Sequence, residues 1–275
     1  MINVKALIDE GVLGKPSNIW PTYPDGVSLD RTKYVTSSEI GYCERKIYYD
    51  KQAMIKSGYS PKQGTSMKDV NGWGVLERGH NIEAWVIETL NRGNASIGEY
   101  TLTFTGAFQR SFVDGYQSGT PDGVFLLPDH KFITLEIKSI DPRTNTEKLP
   151  KAAHLPQVMQ NMDLVAVALD KEPIGAILVY FDASDYSSSY QFDIPYEIKE
   201  ADKLIERAER IMTAENAAEL NPEGIYADHC KYCSHKAACN AVTGAKLSNP
   251  ERGQGNGNDK GNSIREAAAK LFGQS

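Results

Sequence analysis

An α/β fold, with a central mixed β-sheet flanked by helices, is what three features of this sequence predict. Residues 99–104, 108–113, 123–127 and 132–138 are short strand-like segments separated by tight turns, the mark of antiparallel pairing. Helical patterns bracket them, one beginning at Val75 and one spanning residues 151–169. Residues 174–181 then form a continuous apolar run of the kind a buried strand carries.

Taken in order, residues 1–36 mix Pro, Gly and aromatics without periodicity and read as an extended N-terminal arm with room for one short helix. Residues 37–49 place Ser37 at an N-cap ahead of apolar and aromatic residues at helical spacing, so Cys43 is expected to ride on a helix. Residues 51–74 are rich in Gly, Ser, Pro and Lys and predict a loop. From Val75, the stripe Val75, Leu76, Ile82, Trp85, Val86 and Leu90 predicts an amphipathic helix, with His80 and Glu83 sharing a face. In residues 151–169, Leu155, Val158, Met162, Val165 and Ala166 form the packing stripe and Pro156 falls in the first turn. Gln191 to Ile194 suggests an edge strand, and residues 197–219 a long charged helix.

Composition narrows the class of function. The chain has 275 residues, 40% hydrophobic and 24% charged, which suits a water-soluble globular protein. No run approaches the ~20 apolar residues of a membrane span. Asp9 and Glu10 interrupt the short apolar start, so it does not read as a signal peptide, and a cytoplasmic location is expected, the host cytoplasm if the gene belongs to a phage. A net charge of −6 weighs against coating nucleic acid by charge alone.

The chemistry concentrates in Gly119-Thr120-Pro121-Asp122-Gly123 and in Leu135-Glu136-Ile137-Lys138. The first reads as a turn feeding a strand, which puts Asp122 at the strand start. In the second, strand alternation points Glu136 and Lys138 to one face and Ile137 to the other. A hairpin through Pro128-Asp129-His130 would bring Asp122 up to Glu136, two oxygen donors for a hard divalent cation beside one lysine. A surface Glu-Lys pair on an ordinary hairpin is the plainer alternative.

Asp122 followed by Glu136-Ile137-Lys138 resembles the core of the PD-(D/E)XK nuclease superfamily. The resemblance implies a restriction-endonuclease-like core in which Asp122 and Glu136 bind Mg²⁺ or Mn²⁺ and Lys138 positions or polarises the attacking water, with the Ile137 carbonyl as a further metal donor. The Arg78-Gly79-His80-Asn81-Ile82-Glu83 stretch is similar to the superfamily's helix before the catalytic sheet. It implies His80 as an additional ligand, with Glu83 as its competitor. In RecB-like members a Gln lies beside the active site on the helix after the lysine strand, often followed four residues later by Tyr. Gln157 matches the Gln, and Asn161 stands where the Tyr would be.

Only four cysteines are present: Cys43 alone, then Cys230, Cys233 and Cys239. In a reducing cytoplasm this spacing suggests metal rather than disulfides. Zinc held by the trio with His229 or His235 is one solution. The pattern also resembles the iron staple of AddB-type nucleases and CRISPR-associated RecB-like exonucleases, which implies a 4Fe-4S cluster on Cys43, Cys230, Cys233 and Cys239. The resemblance spans residues 37–240 and sets a domain plan: arm 1–36, nuclease core with staple 37–245, flexible Gly- and Asn-rich linker 246–262, and C-terminal amphipathic helix 263–275. That last helix either meets a protein partner or docks back on its own domain.

Together these readings imply a metal-dependent deoxyribonuclease, an exonuclease trimming DNA ends in recombination, repair or replication. The alternative is a non-catalytic DNA-binding or assembly subunit that keeps the fold. No membrane partner is expected.

Overall fold

The computed structural model describes residues 3–4, 30–58, 73–93, 96–97, 100–101, 103–104, 110–222, 230 and 233–243. The expected linker and C-terminal helix lie outside these residues, as does His229. Among the described residues no helix is long and apolar enough to cross a membrane.

The expected α/β architecture is present. Among the described residues, strands β1 (Val35–Thr36), β2 (Ser96–Ile97), β3 (Tyr100–Thr101), β4 (Thr103–Phe104), β5 (Phe112–Asp114), β6 (Gln117–Gly119), β7 (Gly123–Leu126), β8 (Lys131–Ile140), β9 (Glu172–Asp182) and β10 (Ser189–Pro195) alternate with five helices. These are α1 (Glu44–Lys56), α2 (Trp73–Gly93), α3 (His154–Leu169), α4 (Ile198–Thr213) and α5 (Lys236–Thr243). The central sheet has the order β10-β9-β8-β7-β4. Strands β8 and β9 run parallel, joined by the α3 crossover, while the other neighbours are antiparallel.

Strand alternation divides the sheet's side chains between two cores. On one face Phe125, Ile133, Leu135, Ile137, Ile177, Val179 and Phe181 pack against Ile82, Val86, Ile87 and Leu90 of α2. Val4 joins this core, and its backbone N–H donates to Gln191 at 2.9 Å, so the N-terminal arm is tied to the sheet at that point. On the other face Ala176, Leu178, Tyr180 and Ile140 meet Val158, Met159 and Met162 of α3 and Ala201, Leu204, Ala208 and Ile211 of α4. At roughly 1.5–3 kcal/mol for each fully buried aliphatic or Phe side chain, these layers fix the sheet between helices.

Several local expectations need correction. The first helix begins at Glu44, not at Ser37, and it runs on to Lys56 through the first part of the expected loop. Ser37 caps no helix: its N–H donates to Ser118 O at 2.7 Å, continuing the parallel pairing of β1 with β6, and turns over residues 37–41 separate it from the helix start. Cys43 is therefore the N-cap residue, with extended backbone and its carbonyl accepting from Ile47 N–H at 3.0 Å. A second sheet, β1-β6-β5, stands apart from the central one. The strand expected at 108–113 appears as β5, turning tightly through Gly115 at φ +49° into β6. Helix α4 ends at Thr213, followed by a short 3₁₀ turn at Ala217–Glu219.

Candidate active site

Strands β7 and β8 form the anticipated hairpin, with Gly123 opposite Leu135 and Val124 opposite Thr134. Its turn uses left-handed backbone at Asp129 (φ 61°) and His130 (φ 58°), residues of a type that tolerates it. Asp122, one residue before β7, is thereby carried to the Glu136 end of β8. Its Oδ2 accepts from Ile137 N–H at 2.6 Å. Asp122 and Glu136 are both buried.

Glu136 has partners on every side. Oε1 accepts from Lys138 Nζ and from Gln157 Nε2, each at 2.5 Å, and Oε2 accepts from Asn161 Nδ2 at 3.1 Å. Gln157, expected from the sequence, is in place. Asn161, which the sequence showed only as a departure from an expected aromatic, also bonds the carboxylate. The spacing of four after Gln157 was the available signal, because residues i and i+4 share a helix face.

A third carboxylate completes the cluster. Glu83 of α2 is half-buried, hydrogen-bonded to Asp122 and within Coulombic reach of Glu136, whereas His80, one turn earlier, is exposed to solvent. Burial pushes the Asp122 carboxyl well above its ordinary value, and the charges of Glu136 and Glu83 add to it. Glu83 is raised for the same reasons, burial first and Glu136 second. Burial pulls the Lys138 ammonium the other way, but the Glu136 and Asp122 carboxylates outweigh it and hold its pKa above the usual lysine value. Three carboxylates face one ammonium, an imbalance that a divalent cation would offset; the oxygen-rich donor set suits Mg²⁺ or Mn²⁺.

Across the β8–β9 register Lys138 lies opposite Tyr180, whose hydroxyl contacts His154 Nδ1 at 2.8 Å and accepts from Lys151 N–H at 3.0 Å. Burial, aided by Lys138 and Lys151, pushes His154 down to about 3, so it is neutral and adds no charge beside Lys138.

The cysteines meet some distance along the chain from this cluster. Cys43, Cys230, Cys233 and Cys239 line one cavity, with Arg45 and His235 on its wall. All four are free thiols. Cys43 Sγ donates to Pro222 O at 3.3 Å, and Arg45 Nη1 donates to Cys239 Sγ at 3.7 Å. Burial pushes the Cys43 thiol up, as it does Cys230, with neighbouring cysteines contributing to both. His235 Nε2 is 2.7 Å from Asp50 Oδ1 and its ring stacks on Tyr49. Among the described residues no group of three or more His, Cys, Asp or Glu side chains stands in an arrangement ready to hold a metal ion.

No family model matches the chain, and no curated protein matches it. Among solved structures it is similar to the crystal structure of SSO0001, at 17% identity and a TM-score of 0.45, over 87% of this chain and 94% of that one. It is also similar to an alkaline exonuclease (LHK-Exo) from Laribacter hongkongensis, at 14% identity and a TM-score of 0.42, over 76% of this chain and 95% of that one. The same exonuclease in complex with dAMP matches at 15% identity and a TM-score of 0.43, with the same coverage. Similarity this distant assigns no residue a role.

Proposed function

We propose that this chain is a metal-dependent deoxyribonuclease that degrades DNA from its ends. The observation that carries the reading is the convergence of Asp122, Glu136, Glu83 and Lys138 around the central strand β8. End-directed action is the part contributed by the RecB-like motif set, Gln157 above all. A non-catalytic subunit would not need three mutually repelling carboxylates kept beside a lysine.

Asp122, Glu136 and the Ile137 carbonyl would hold Mg²⁺ or Mn²⁺, with Glu83 rather than exposed His80 as the further ligand. A divalent cation in such a site acidifies a bound water and neutralises charge building on the phosphate. Lys138 stays protonated at neutral pH, so it is suited to orient the attacking oxygen and to stabilise transition-state charge. Gln157 holds one Glu136 oxygen and leaves the carboxylate a restricted choice of orientation.

The four thiols around one cavity, with Arg45, Lys46 and Lys236 on its wall, fit a metal staple, because thiolates are the ligands such a metal takes and the cations favour them. A 4Fe-4S cluster uses all four. Zinc is the second reading, favoured by His235, whose bond to Asp50 is the partner arrangement that orients a histidine ligand.

The test is cleavage of end-labelled linear and circular DNA with Mg²⁺, Mn²⁺ or EDTA, on protein purified without oxygen. Expected are loss of linear DNA only with metal, and brown protein with iron and sulfide in near-equal amounts. Cleavage in EDTA would sink the mechanism, and colourless folded protein with one zinc would replace the cluster.

A further inference from the structure

Helix α3 holds both oxygens of Glu136. Gln157 takes Oε1 at 2.5 Å and Asn161, the next turn along, takes Oε2 at 3.1 Å. Two amides four residues apart on one helix make a two-point clamp on a single carboxylate.

The far end of Asn161 shows that packing does not explain the residue. The side chain is 1% exposed, and among the described residues its Oδ1 is buried without a hydrogen bond. That buried, unpartnered oxygen is a cost of placing an amide here, and the Nδ2 bond to Glu136 is what the residue returns for it. The orphaned oxygen rests against Gly119, the last residue of β6. A Cβ on Gly119 would lie 2.3 Å from Asn161 Oδ1 and 2.9 Å from Leu164 Cδ1, so only glycine leaves the amide its seat. Gly119 stands three residues before Asp122, which puts the seat, the amide and both carboxylates in one local assembly.

We infer that Asn161, seated on Gly119, is a positioning residue that fixes the orientation in which Glu136 meets the cation. This rests on the metal-dependent reading above. A carboxylate tied at both oxygens cannot swing to pair with Lys138 alone, so the metal site is pre-organised before metal arrives. Outer partners of this kind typically change metal affinity 10–100-fold.

The experiment is calorimetric Mn²⁺ titration of the full chain without DNA, together with melting temperature and cleavage kinetics. Asn161→Leu, in protein shown by its melting temperature to be folded, is expected to bind Mn²⁺ about tenfold more weakly and to lose kcat with KM for DNA held. Gly119→Ala should reproduce the weaker binding. The double variant Gly119→Ala/Asn161→Ala should bind within about twofold of Asn161→Ala, because the glycine acts through the amide. Wild-type Mn²⁺ affinity and kcat in Asn161→Leu would overturn the inference and leave the nuclease reading standing. Losses that simply add in the double variant would overturn the seat. Folded wild type that binds no Mn²⁺ would overturn the metal-dependent reading and this inference with it.

Discussion

The carboxylate cluster and the thiol cavity are both groups of metal-ligand side chains, yet they are built in opposite ways. Asp122 and the Ile137 N–H it binds are 15 residues apart on one hairpin, embedded between two apolar cores. The thiol cavity instead joins the start of α1 to the region of α5, with Arg45 and Cys239 194 residues apart. Their charges differ too. The carboxylates crowd one lysine and repel one another, whereas Arg45, Lys46 and Lys236 line the thiol cavity. A site on a hairpin can be destabilising and still stay assembled, since the sheet holds it. The thiol cavity is held from across the chain, Glu44 taking Arg207, Arg210 and the Asn221 N–H while Arg45 donates to Leu220 O, and a metal on its thiols would add a further tie between the same distant segments.

That difference sets the expected size and kind of each mutational effect. The largest belongs to the tie: by the loop-entropy relation used for disulfides, cross-linking a loop of this length is worth about 5 kcal/mol, comparable to a domain's whole stability. Cys43→Ala or Cys239→Ala should therefore give poorly soluble, easily proteolysed protein with no bound metal, read by limited proteolysis and metal analysis. Stable, active cysteine variants would erase the distinction between the sites.

Next comes chemistry without instability. Asp122→Asn keeps an acceptor for the Ile137 N–H while removing a repelling charge, so its melting temperature should hold or rise. Its cleavage rate, and that of Lys138→Ala, should fall at least about 10²–10³-fold, the usual cost of removing one preorganised electrostatic group. A melting temperature that falls in step with the rate would make the cluster structural. Smaller still, Arg45→Met removes a charged donor to both Leu220 O (2.9 Å) and Cys239. About 1.5–3 kcal/mol of stability should go, with DNA cleavage by the protein that remains folded unchanged.

What could be read in the sequence follows the same division. Asp122, Glu136 and Lys138 were legible because alternation and one tight turn determine their relation locally. Gln157 was legible through the RecB-like resemblance, with helical periodicity placing it on α3. Asn161 was visible only as a mismatch, since its bond to Glu136 depends on how closely α3 approaches β6, and that closeness is set by the missing side chain at Gly119. The start of α1 was misplaced because Ser37 has the right chemistry for a cap, but its backbone continues the β1 pairing with Ser118, a partner 81 residues away that no local pattern reveals. The two-residue β1 carries no periodicity, so the second sheet was hidden for the same reason. Convergence of the four cysteines was suggested by family resemblance, and the residues that serve their cavity, Arg45 and Pro222, have no signature at all.

The smallest expected effect tests the point where sequence and structure part. His80 and Glu83 are three residues apart on α2, and helical spacing alone lets either one face the sheet. Packing decides between them: Ile82, Val86 and Leu90 bury that stripe against the sheet, Glu83 sits beside Asp122, and His80 is left exposed. Glu83→Gln keeps the shape and hydrogen-bonding capacity but removes a charge from the cation's surroundings, so the Mn²⁺ concentration for half-maximal cleavage should rise about tenfold. His80→Ala deletes a solvated ring that touches the cluster only through its field on Glu83, and that concentration should shift by less than about threefold. If the two results came out reversed, α2 would have to turn on its axis when metal binds, and the apolar stripe that now holds it to the sheet would have to release.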